Sequence, residues 1–140
     1  MRKKFDGLPS RVVKLSHGDQ TIEIRCEALP AGYGQYIRQV LPRPERFRNG
    51  KTPLPLSPSE SGLYNNRIGY LMLERGIRED ACLETPIPAA SAKGAVWADF
   101  ADAVEREFAE AGFSEGDVSA LSEAVQDLSA STTIKDSAGN

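Results

Sequence analysis

The stretch EREFAEAGFSEGDVSALSEAVQDL, Glu105 to Leu128, decides how this chain folds. Upstream of it and into it, Trp97, Phe100, Val104, Phe108 and Ala111 recur at spacings of three and four, with acids opposite. That is the period of a helix with one apolar face. Gly112 stands where a left-handed C-terminal cap is wanted, with apolar Phe113 just beyond it. Ser114 then opens a second start signal, S-E-G-D, with Asp117 in the capping-box position. Acids at that point also suit the positive end of the helix dipole. Val118, Leu121, Val125 and Leu128 carry the apolar face onward. The stretch predicts an αα-hairpin with a very short connection.

Working outward, RVVKLSHGDQTIEIRCEAL predicts a β-hairpin. Val13 and Leu15, then Ile22, Ile24 and Cys26, alternate with polar neighbours at a period of two, and His17, Gly18 and Asp19 supply the turn. A lone hairpin is marginal in water, so it must pack on helices or join a sheet in another subunit. PAGYGQYIRQVL predicts a short helix from Pro30, stopped by Pro42. From Pro42 to Pro58 five prolines and a basic cluster predict a loop without regular structure. SPSESGLYNNRIGYLMLERGI then predicts a helix, firmest from Gly62 to Arg75, with Leu63, Ile68, Leu71, Met72 and Arg75 along its face, Tyr64 beside Ile68 and Gly76 placed to end it. REDACLETPIPAASAKG is a second irregular connection, and the small polar tail, residues 129–140, is expected to be disordered. The expected fold is α+β: an N-terminal β-hairpin, then three to four helices ending in an αα-hairpin, in one domain spanning residues 1–128.

A chain of 140 residues with 26% charged side chains can bury its own core without staples. No apolar run approaches the roughly 20 residues that span a bilayer, and MRKKFDGLPSR has no apolar stretch behind its basic cluster, so the expected location is cytoplasmic, with no membrane partner. Cys26 and Cys82 lie far apart and are expected to be plain reduced thiols. Charge is uneven: through Lys51 there are 11 basic and 5 acidic side chains, and from Thr52 onward 6 and 15. Such a split suits an N-terminal basic face for nucleic acid, attraction between the halves or between neighbouring copies, or a solvated surface that is simply uneven.

Chemistry is sparse. His17, the only histidine, falls in the predicted turn, and the two cysteines do not complete a zinc set with it. No nucleophile elbow or phosphate loop is present, and the carboxylates of DFADAVEREFAE are expected on a solvated face. The expectation is therefore a protein with no catalytic residues, no metal, no cofactor and no small-molecule substrate. One basic cluster stands apart: Arg43, Arg46, Arg48 and Lys51 surround Phe47, cations and a ring that suit single-stranded nucleic acid. The acidic balance, with a sequence pI near 5.2, leaves this as the lesser alternative.

The order of elements, with the N-terminal hairpin, YNNRIGYLMLERGI and the closing FADAVEREFAEAGFSEGDVSALSEAV, resembles the tail assembly chaperones of long-tailed bacteriophages over about two-thirds of the chain. The resemblance implies a non-enzymatic protein of the host cell cytoplasm that coats the helical, apolar tape measure protein, self-associates, and commonly occurs with a frameshifted longer form. It also implies that an amphipathic client helix lies in a groove on the chaperone. Trp97, Phe100, Val104 and Phe108 are candidates to line it, as are Tyr64, Ile68 and Met72, unless they form the domain's own core. A structural virion subunit of the tail or head–tail connector, its hairpin completing a neighbour's sheet, is the other alternative.

Overall fold

One long helix, α2 (Pro58–Ile77), holds the fold together in the computed structural model. It begins at Pro58, within the stretch read as helical, and the proline sits at the first helical position, where a missing N–H costs nothing. Ser57 caps it reciprocally: its Oγ accepts from the Glu60 N–H at 3.2 Å, and Glu60 accepts from the Ser57 N–H at 3.1 Å. Around it lie β1 (Ser10–His17), β2 (Gln20–Glu27), α1 (Tyr33–Val40), α3 (Gly94–Glu110) and α4 (Glu115–Ala130). The structure describes residues 1–48, 50–81, 83–130 and 132, without the side chains of Arg46, Phe47 and Arg48. Cys82 and nearly all of the expected disordered tail lie outside the described residues. Residues 129 and 130 of that tail are instead the last turn of α4. There Ser129 Oγ donates to the Val125 carbonyl and accepts from the Leu29 N–H.

The architecture is α+β, an antiparallel hairpin followed by helices. The β1–β2 register sets Val13 opposite Ile24 and Leu15 opposite Ile22, which puts the expected apolar side chains on one face. His17 is not in the turn; it closes β1 opposite Gln20 and leaves a two-residue loop. Gly18 takes φ 59° there, the positive value that matches the twist of a tight hairpin. The apolar face packs on α2 and α4, so the hairpin rests on its own helices. Leu15, Ile24 and Cys26 are buried by that docking.

The segment from Pro42 to Pro58 is not wholly irregular. Arg46–Arg48 (β3) and Thr52–Leu54 (β4) form a second short antiparallel ladder, with Phe47 opposite Pro53. Proline is tolerated because each strand of a two-stranded ladder has a free edge that needs no donor.

Gly76 does not end α2. The helix runs past it to Ile77, and the glycine is where α4 comes closest: a Cβ at residue 76 would lie 2.4 Å from Val125 Cγ2. The stop signal is in fact a contact point. Leu71, Leu73 and Ile77, each 1% exposed, flank this approach. Each contributes about 2 kcal/mol by leaving water. Leu63, expected on the buried stripe, is 48% exposed instead.

Candidate interaction surfaces

At the corner between α3 and α4, Gly112 adopts φ 87°, and two backbone bonds close the end of α3. The Phe113 N–H reaches the Phe108 carbonyl and the Gly112 N–H the Ala109 carbonyl, each at 3.1 Å. This is the Schellman pattern, and the apolar contact that accompanies it is present, with the Phe108 and Phe113 rings edge to face at 5.2 Å. One residue later Ser114 caps α4: its N–H donates to Asp117 Oδ2 at 2.8 Å and its Oγ accepts from the Asp117 N–H at 3.1 Å. The Asp117 carboxylate is also the partner of His17 Nε2 at 2.6 Å, which ties the tip of β1 to the start of α4. The Ser114 N–H chiefly holds the Asp117 carboxyl below the usual range; burial opposes it, and His17 adds a smaller lowering effect. Leu15, Ile22 and Phe113 line a small cavity of about 140 Å³ beside this pair.

Three acids of α3, Asp102, Glu105 and Glu107, are bonded, while Asp99 and Glu110 face solvent as expected. Asp102 takes a two-pronged contact from Arg67 of α2 at 3.0 and 2.8 Å, and Glu105 accepts from Asn66. Glu107 gathers the N–H groups of Glu84 and Thr85 and the Thr85 hydroxyl. Burial alone would raise the Glu107 carboxyl, but those three donors prevail and lower it. The loop after α2 is thus stapled to α3. Nothing in the local sequence marks these pairs, because their partners lie 22 to 39 residues away.

One carboxylate is buried. Glu74, 3% exposed, is held by Arg78 at 2.6 and 2.9 Å in a planar fork, close to Tyr33. Burial first, and Glu74 second, push the Tyr33 hydroxyl up to about 12. Burial also raises the Cys26 thiol.

Of the side chains expected to meet a client helix, Tyr64, Ile68, Trp97, Phe100, Val104 and Phe108 are buried in the protein's own core. Met72 is partly buried against it. Trp97 packs edge to face with Tyr36 and Phe100, and its indole N–H finds no acceptor among the described residues. Tyr64 donates to the Leu41 carbonyl and lies under Arg43, whose guanidinium stands 5.6 Å from the ring centre. Arg43 is therefore occupied locally, while the backbone of Arg46, Phe47 and Arg48 forms β3 and Lys51 is exposed in the turn beyond.

Two larger depressions open on the surface. One of about 350 Å³ runs between α2, α3 and α4, with Tyr70, Leu73 and Val118 as its apolar part and Asn65, Asn66, Glu105, Glu115, Ser119 and Ser122 around them. The other, also about 350 Å³, is floored by Ile24, Ala81, Leu83, Phe108, Ala111 and Phe113 and rimmed by Glu84, Glu107 and Glu110. Among the described residues no group of three or more His, Cys, Asp or Glu could hold a metal ion, and no helix is long and apolar enough to cross a membrane. Comparison with known proteins finds no matching family model, no matching curated protein and no matching solved structure.

Proposed function

We propose that this protein is a non-enzymatic tail assembly chaperone, binding the helical tape measure protein and itself during the building of a phage tail. The observation that carries the reading is the α3–α4 corner. The AGFSEGDV motif, central to the resemblance, is locked at both helix ends and bonded to the hairpin tip through His17 and Asp117. Such a corner is a rigid platform for contacts. With the expected client residues buried in the core, the cleft between α2 and α4 is the better seat for a client helix. Its apolar centre and polar rim suit an amphipathic helix laid in a groove.

The test is co-expression with the longest helix-rich protein encoded just downstream, followed by a pull-down at low and high salt. A salt-resistant complex is expected, lost on Val118→Asp in a variant whose circular dichroism is unchanged. Val118 is only partly buried, so this variant separates binding from folding. Failure to form a complex, together with bound nucleic acid that salt removes, would replace this reading with one centred on the Arg43–Lys51 segment. Retention of the protein in purified particles would instead favour a structural tail or connector subunit.

A further inference from the structure

Residues 1–7 form an exposed arm without regular structure, which meets the domain at Pro9, whose carbonyl accepts from the Ala28 N–H at 2.8 Å. Phe5 is 95% exposed, although a phenylalanine gains about 2 kcal/mol or more from burial. Arg2, Lys3 and Lys4 precede it directly, so the arm is an aromatic anchor beside a cationic cluster. The pocket beside the corner offers the converse. Its floor is apolar, with the Phe108 and Phe113 rings already edge to face, and its rim carries the carboxylates of Glu84, Glu107 and Glu110. Arg106 lies in the adjoining depression and offsets one of these charges, which leaves the rim acidic.

We infer that the arm of one copy docks in this pocket on a second copy, with Phe5 against the half-buried Leu83 and Phe113 and the arm's cations over the acidic rim. The two surfaces are complementary in apolar character and in charge, and Phe5 of a given molecule does not occupy its own pocket. The contact joins two different patches, so it is heterologous and links copies head to tail. It supplies an interface for the self-association within the reading above, on which it rests, yet needs no client, so this contact and client binding succeed or fail separately.

The test uses the full chain alone. Sedimentation across a wide concentration range is expected to show species larger than a monomer, weakened by salt because the rim charges are exposed. Phe5→Ala removes the anchor, and Ala111→Trp fills the pocket from an exposed position; each variant alone is expected to be monomeric with an unchanged circular dichroism spectrum. Mixed together, they are expected to form a one-to-one dimer that grows no further, since only one working arm meets one working pocket. A monomeric native protein at every concentration, self-association that survives Phe5→Ala, or a mixture that stays monomeric would each overturn the proposal.

Discussion

At the scale of single residues, Gly76 is the most constrained position in α2. Alanine is better than glycine in a helix interior by about 1 kcal/mol, so Gly76→Ala would stabilise a merely permissive site. Here the added Cβ meets Val125 Cγ2 at 2.4 Å and Cγ1 at 2.7 Å. The expected result is a net loss of about 1–3 kcal/mol in urea unfolding, partly recovered by Val125→Ala in the same chain. A more stable single variant would show that α2 and α4 can separate freely. The buried fork is a second case. Arg78→Met leaves the Glu74 carboxylate without its partner and is expected to cost about 3 kcal/mol, most of it recovered when Glu74→Leu is added. Tyr33 gives the pH dependence. Between pH 10, where an unfolded tyrosine ionises, and about 12, the folded state holds the extra proton, so stability falls as pH rises through that window. The loss is on the order of 2 kcal/mol, and Tyr33→Phe is expected to flatten that slope in alkaline unfolding curves.

At the scale of elements, the corner is where local sequence speaks most directly. Ser114→Ala removes the α4 cap and is expected to cost about 1 kcal/mol of stability, read from thermal unfolding. Every signal used there acts over one to five residues, and this is why Gly112, Phe113, Ser114 and Asp117 announce their roles in the sequence. The hairpin is legible for the same reason, through its period of two. Gly76 was misleading because a glycine that stops a helix and one that admits a neighbouring helix look alike without Val125 beside them. Pro53 misled in the other direction, since a two-stranded ladder accepts a proline that a central strand would reject. The candidate surfaces were the least legible. Helical periodicity marks Trp97, Phe100 and Phe108 as apolar but not whether they face the core or a partner. The link of His17 to Asp117 spans 100 positions, beyond any local pattern.

At the scale of the whole molecule, the uneven charge takes a spatial form. Arg2, Lys3 and Lys4 stand together in the exposed arm, while acids line α3, the loop before it and the start of α4. Raising salt is therefore expected to loosen contacts between copies far more than it alters the unfolding midpoint, and sedimentation and thermal scans on one sample would separate the two. Two buried side chains have a practical consequence of their own. Trp97 is the only tryptophan and lies where α1 meets α3, while Cys26 is sealed beneath the docked hairpin. Indole fluorescence and the labelling rate of that thiol, read on its own peptide by mass spectrometry, thus watch the helical and the hairpin parts of one core. If both signals change together in denaturant, the hairpin and the helices open as one unit. If the thiol reacts while the emission stays native, the hairpin lifts alone, and the molecule has a second, looser form at equilibrium with the first.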